Sequence, residues 1–200
     1  MIVTVIAFVL LTGIMPVQAQ KKTTVMIDAG ASFFSNNLND ENTWLHDFLA
    51  FTLDTRVLLS THENSSLSLD FPIAFRSQIR GDIVRRFGIN VPVFFTYNYG
   101  LGAGDDTKKS VGLLIGAGWG YFYQRSKAKR SELPQYDESL STNGPVVQAG
   151  LRFPMNHTTL FHLGEKPVHP SLTIRAANQF SLTHHEENIA SISLLIGMVF

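Results

Sequence analysis

The side chains in this chain with the most chemistry in them are its seven histidines (His46, His62, His157, His162, His169, His184, His185) and the carboxylates near them. The densest group is His184-His185-Glu186-Glu187 with Ser181 just ahead, the residue types of a metal site or a nucleophile–base–acid triad. Its spacing argues against both. Neighbouring residues in extended chain point to opposite sides, so two of them reach one ion only with help from elsewhere. With no cysteine anywhere, thiolate metal sites, disulfides and cysteine nucleophiles are excluded together. The stretch GLGAGDD lacks the Gly-Lys-Ser/Thr ending of a phosphate loop, and Asp105-Asp106 is not followed by the spaced ligands and terminal Glu of a calcium loop. The expectation is therefore no catalytic residue, no metal ligand and no cofactor, with all seven histidines in connections.

The elements that would have to position such groups are legible from composition and periodicity. Sixteen basic residues balance sixteen acidic ones, so no nucleic acid or other polyanion is implied as a partner. At 44 % hydrophobic and 16 % charged residues the chain folds or enters a membrane rather than staying disordered. Residues 1–19, MIVTVIAFVLLTGIMPVQA, are uncharged and apolar and close on Val17-Gln18-Ala19, which predicts a cleaved signal peptide ahead of a single domain over 20–200. No later stretch is long and apolar enough for a spanning helix, so any passage through a membrane must use strands.

Beyond residue 20 the apolar positions recur every second residue, the period of a strand. Val25, Ile27, Ala29, Ala31 and Phe33 oppose Asp28, Gly30 and Ser32; Leu49, Phe51, Leu53, Val57 and Leu59 oppose Ala50, Thr52, Asp54 and Arg56. The same pattern follows around Leu67–Phe75, Ile89–Tyr99, Val111–Tyr123, Val147–Phe153, Leu172–Phe180 and Ile192–Phe200. These eight runs, with no convincing helix between them, predict an all-β, eight-stranded, up-and-down antiparallel barrel.

Which face lies inside decides the class. Eight glycines (Gly30, Gly88, Gly112, Gly116, Gly118, Gly120, Gly150, Gly197) fall on the polar face, and six more, Gly144 among them, are assigned to turns. Glycine gains nothing on a solvated outer surface but makes room in the narrow lumen of an eight-stranded barrel. The polar face is accordingly read as the interior, filled by side chains and carrying Asp28, Asp54, Asp70, Arg56, Arg76, Arg152 and Arg175. The apolar face is then lipid-facing, with Tyr97, Tyr99, Trp119, Tyr121 and Tyr123 as an aromatic girdle at headgroup level.

On these features (the leader, eight alternating strands, INVPVFFTYNYG followed by KKSVGLLIGAGWGYFY, and a last strand SISLLIGMVF) the chain resembles the small outer-membrane β-barrels of Gram-negative bacteria, of the kind that includes the OmpA membrane domain and the opacity-type porins. The resemblance implies an outer-membrane protein, monomeric, with membrane lipid, lipopolysaccharide and the barrel-assembly machinery as partners. It maps the assembly signal of that class to Phe200 with Met198 and Ile196 behind it. It implies a structural or surface-interaction role, not an open porin, and no reaction. Lys127, Lys129 and Arg130, in RSKAKRSELPQYDES, would form an external loop able to meet lipid A phosphates.

Two other readings fit parts of the pattern. A secreted lipocalin-like barrel would turn Trp119 and the other aromatics into a ligand cavity. An outer-leaflet lipid A-modifying enzyme would need Ser181, His184 and Glu186. One feature runs against the usual loop distribution of outer-membrane barrels: the connections 100–110 and 156–170, on the side of the termini, are long, and those at 77–82 and 183–188 are short. Displaced strand edges, or a short element hidden in NHTTLFHLGEKPVHP, would account for it.

Overall fold

Backbone pairing of the alternating segments closes a ring. The computed structural model describes residues 25–36, 48–80, 84–103, 110–128, 136–155, 161–163, 166–168, 170–182 and 188–199. Residues 1–19, Lys129, Arg130, His184 to Glu187 and Phe200 lie outside them, and with them the leader, part of the basic group, the His-Glu group and the terminal aromatic. The strands are β1 (Val25–Asn36), β2 (Phe48–Thr61), β3 (Ser65–Arg80), β4 (Val84–Gly100), β5 (Gly112–Ala128), β6 (Tyr136–Pro154), β7 (Phe161–Leu163), β8 (Lys166–Val168), β9 (Ser171–Gln179) and β10 (Ile189–Val199). Eight of them form a closed barrel in the order β1-β10-β9-β6-β5-β4-β3-β2, every pair antiparallel. The seam is β1 on β10, from Met26 opposite Val199 to Asn36 opposite Ile189. Closure leaves no barrel edge open to pair with another chain.

The faces are inverted relative to a soluble barrel. Leu49, Phe51 and Ile192 are each 62 % exposed on the outside and Trp119 is 52 % exposed, whereas Asp28, Asp54, Arg56, Asp70, Arg152 and Arg175 are buried within. The lipocalin-like alternative is thereby overturned, because Trp119 and its neighbours line the outer wall and not a cavity. On β5 the apolar outer face runs from Leu113 to Tyr123 and gives way to exposed Arg125 and Lys127. Those ten residue steps (123 − 113) at about 3.4 Å each, on strands tilted by about 40°, span roughly 25 Å, the height of a lipid-facing band. Tyr97 and Tyr99 stand opposite Ile115 and Leu113 near its lower edge, while Trp119, Tyr121 and Tyr123 occupy its upper half.

Four sequence expectations about boundaries are corrected. β5 and β6 continue above the apolar band, so Lys127 sits in a strand and not a loop, and β6 begins at Tyr136, well before Val147. Hydrophobic alternation fades there because both faces carry mainly polar residues, Gln124 and Ser126 inward and Arg125 and Lys127 outward, while the backbone ladder continues regardless. Gly144 lies inside β6, buried on the inner face, where a Cβ would strike the Phe180 carbonyl. β3 and β4 extend to Arg80 and from Val84, leaving 81–83 as their connection. The 156–170 connection does hold a short element, the hairpin β7–β8, which takes His162 out of the loops. His62 lies in the exposed 62–64 turn; the other five histidines lie outside the described residues.

At the end of the barrel nearest the termini, the turn after β4 packs over Arg152. Gly100 and Gly102 adopt φ of 78° and 80°, a conformation open to glycine, and the turn folds inward so that Ala103 is fully buried. A Cβ on Gly102 would collide with the Arg152 guanidinium, so the glycine lets the turn cover that side chain.

Candidate functional site

The lumen is filled by a polar network that ties opposite walls together. Arg152 on β6 donates from Nη2 to Asp28 Oδ2 on β1 at 2.8 Å and from Nε to Thr173 Oγ1 at 3.0 Å. Arg175 on β9 donates to Asp54 Oδ2 on β2 at 2.6 Å. Gln148 on β6 donates to Asp70 Oδ2 on β3 at 3.3 Å and to Thr96 Oγ1 at 2.8 Å. Each of these three ties joins strands three places apart around the ring of eight. Arg56 completes the charge balance with Nε 3.0 Å from Asp70 Oδ1 and Nη2 3.9 Å from Asp28 Oδ2. Three buried aspartates thus meet three buried arginines.

Hydroxyls and amides at the same inward positions add further bonds, while Asp28 Oδ1, Asp54 Oδ1, Gln148 Oε1 and both Nη atoms of Arg56 are buried without a hydrogen-bond partner. Ser68 donates to Asp70 Oδ1 at 2.7 Å and accepts from Asn98 at 3.0 Å. Ser32 bonds both Thr52 and Ser193. Above this lies an apolar plug in which the rings of Phe34 and Phe122 lie 6.0 Å apart among Ala50, Ala74, Leu140 and Ile189, and Phe94 is 1 % exposed beside it. A cavity in the lumen, lined by Ser32, Asn90, Phe94, Arg175 and Gln179 among others, measures about 20 Å³, room for one water. The arrangement can brace a barrel from within.

Of the sequence-assigned interior charges, six lie in this network. The seventh, Arg76, is half-buried nearer the mouth at the end away from the termini, in the company of Arg86. Arg86 was not singled out from the sequence, although stepping back by two from Gly88 places it on the inner face. Ser68, Thr96, Asn98, Gln148 and Thr173 were likewise passed over as bonding groups, though their positions on the polar face were read correctly. Ser181 is 7 % exposed and accepts a hydrogen bond from Thr142 at 2.6 Å; His184 and Glu186, its supposed partners, lie outside the described residues. Among the described residues no three His, Asp or Glu side chains gather as a metal site. Ile196 faces outward on β10, Met198 is half-buried in the same phase, and Phe200 lies outside the described residues.

On the outer wall above the apolar band, Arg125 forms a two-pronged bond to Asp137, Nε to Oδ1 and Nη2 to Oδ2, each 2.9 Å. Lys127 Nζ stands 2.9 Å from the same carboxylate. Hydrogen bonds from Arg125 and then Lys127 hold the Asp137 carboxyl well below the usual carboxylate range. Just beneath, Ser141 donates to the Tyr121 hydroxyl at 3.2 Å.

Comparison with solved structures returns barrels of this build. The attachment invasion locus protein Ail of Yersinia pestis, in complex with the heparin analogue sucrose octasulfate, is 13 % identical, with 89 % of this chain and 99 % of that one covered and a TM-score of 0.57. Ail alone gives the same identity and coverage at 0.56. OprG of Pseudomonas aeruginosa is 10 % identical over 92 % of this chain and 99 % of its own, at 0.46. No protein-family model and no curated protein matches the sequence. At these identities the likeness is one of fold: the chain is built as a small eight-stranded outer-membrane β-barrel.

Proposed function

We propose that this chain is a monomeric outer-membrane barrel that acts through its surface and not as an open pore. The observation that carries the reading is the filled, charge-balanced lumen inside an apolar outer wall. A soluble barrel has no use for the 25 large apolar side chains exposed among the described residues, and a general porin has no use for arginines bonded across its bore. The two-cation, one-anion group of Arg125, Lys127 and Asp137, directly above Tyr121 and Tyr123 on the lipid-facing side, suits the phosphates of lipopolysaccharide in the outer leaflet. The leader at 1–19 would deliver the chain for insertion by the barrel-assembly machinery, with the last strand presenting Ile196, Met198 and Phe200. The neighbouring Ail structures agree with a surface-interaction role.

The test is expression with the leader, membrane fractionation, and electrophoresis with and without boiling. Sedimentation with the outer membrane and a faster-migrating unboiled band are expected, together with the absence of large, steady conductance steps in planar bilayers. A periplasmic, unshifted protein would overturn the membrane reading; steady porin-sized steps would overturn the filled lumen.

A further inference from the structure

Between β3 and β4 the hydrogen-bonded register stops and restarts. Pairing runs to Asp70 opposite Phe94 and resumes at Ala74 opposite Asn90, while residues 71–73 and 91–93 are not paired with each other. The gap has the same length on both strands, which places Pro72 opposite Pro92 at its centre. Loss of the flanking pairs marks this as a position where the two residues would exchange both N–H···O bonds. Proline has no N–H, so neither bond forms. Each strand stays tied on its other side, Pro72 opposite Asp54 on β2 and Pro92 opposite Gly120 on β5. The defect is therefore confined to one seam, and the main-chain carbonyls of both prolines face it without a ladder donor.

The surroundings of the seam decide what can satisfy them. It lies within the lipid-facing band, since Val91 and Val93 stand opposite Tyr121 and Trp119, and its outer side carries Phe71, Ile73, Val91 and Val93. Hydrocarbon offers a carbonyl no donor. On the inner side, Pro72, Pro92, Asn90, Arg175 and Gln179 all line the lumen cavity of about 20 Å³. Asn90 Oδ1 is buried there without a hydrogen-bond partner. Gln179 directs its amide protons to Gly120 O and Thr142 O. Arg175 gives one Nη1 proton to Asp54 and carries further N–H groups on its guanidinium.

We propose that this cavity binds one ordered water that takes the place of the missing ladder bonds, donating to Asn90 Oδ1 and to a proline carbonyl of the seam and accepting from Arg175. A water brings the protons that the oxygen acceptors need, and these partners give it the coordination of a buried water. The guanidinium disfavours a metal cation at the same spot, and the carbonyl and amide oxygens disfavour an anion. The β3–β4 seam thus becomes the hydrated line of the wall. The hydrocarbon outside the seam rests on the membrane reading above; the missing donors do not.

The test is a crystal structure of the mature chain, grown from a lipid mesophase at a resolution that shows buried waters, with hydrogen exchange measured in phosphatidylcholine nanodiscs. Folding is checked by the heat-induced band shift. Density for a water within hydrogen-bond distance of Asn90 Oδ1 and of the Pro72 or Pro92 carbonyl is expected. The Pro72→Thr, Pro92→Thr double variant supplies both N–H groups, so its strands should pair directly and exchange of the Ile73 and Val93 amides should slow by about tenfold or more. Pro145→Thr, on the outer face of β6, should leave that exchange as it is. A wild-type cavity without such density, or a water that reaches Asn90 and neither proline carbonyl, overturns the proposal whether or not the double variant folds. Unchanged exchange in a folded double variant overturns it as well. Failure of the wild type to show a band shift counts instead against the barrel reading.

Discussion

Replacing Arg175 by Met removes the hydrogen-bonded cation of Asp54 in the lumen, and replacing Asp54 by Asn removes the carboxylate partner of Arg175. The two groups meet at 2.6 Å with side chains almost wholly buried. With charge centres about 4 Å apart and an effective dielectric of about 20, their attraction is about 4 kcal/mol. Loss of one partner of a buried pair costs about 3–5 kcal/mol, chiefly the penalty of the charge left behind. Either single variant should therefore lose that much stability, whereas the double variant, with no stranded charge, should lose far less than the sum. The pairwise term of the cycle should be about 3 kcal/mol or more. Urea unfolding and refolding of the barrel in lipid vesicles, read by the unboiled band, measures all four proteins. Additive losses, or single losses below about 1 kcal/mol, would refute the claim that these charges stabilise the barrel by facing each other across its bore.

Three further outcomes follow from the wall itself. In a Trp44→Phe background, where Trp119 is the remaining tryptophan, its fluorescence should be quenched by lipids brominated on the acyl chains and not by aqueous iodide; the reverse pattern would place it in a cavity. Gly118→Ala should cost about 1–3 kcal/mol, since a Cβ there meets the backbone of Val93 and Phe94 on β4; a neutral result in the same unfolding assay would contradict the close approach of these strands. The depressed Asp137 carboxyl means that its pairing is fully present above the unfolded-chain value and is lost as pH falls through the lower folded value. A carboxyl NMR titration should show a midpoint below the ordinary range that rises in Arg125→Gln; an unmoved midpoint would rule out the two-pronged bond.

Periodicity and glycine placement carried the sequence a long way. Alternation with period two located all eight barrel strands, and glycines such as Gly116 and Gly118 on the polar face pointed to the inside-out assignment, because only a crowded lumen rewards a missing side chain. Pairing was out of reach. Whether Asp28 meets Arg152 or Arg175 depends on the stagger around the ring, which places residues 124 apart in contact and leaves no mark on local pattern. The tips of β3 to β6 were lost for a different reason, since above the membrane band both faces are polar and Arg125, Lys127 and Asp137 read as loop. Arg86 escaped because it follows Arg85 in a doublet, where the inward residue is told from the outward one only by counting from Gly88.

The cross-lumen ties also set an order of events. Asp28 belongs to the first strand, and its partners lie on β2 and β6, while Arg175 on β9 waits for Asp54 on β2. The two ionic ties, Arg152 to Asp28 and Arg175 to Asp54, span the β1–β10 seam and cannot form until the ring has curled and that seam has drawn shut. A half-built sheet entering hydrocarbon would present three arginines and three aspartates to lipid, each costing several kcal/mol there. Curling and entry must therefore be concerted, so that the ionic interior acts as a checkpoint, tolerated by the bilayer once the cylinder is complete.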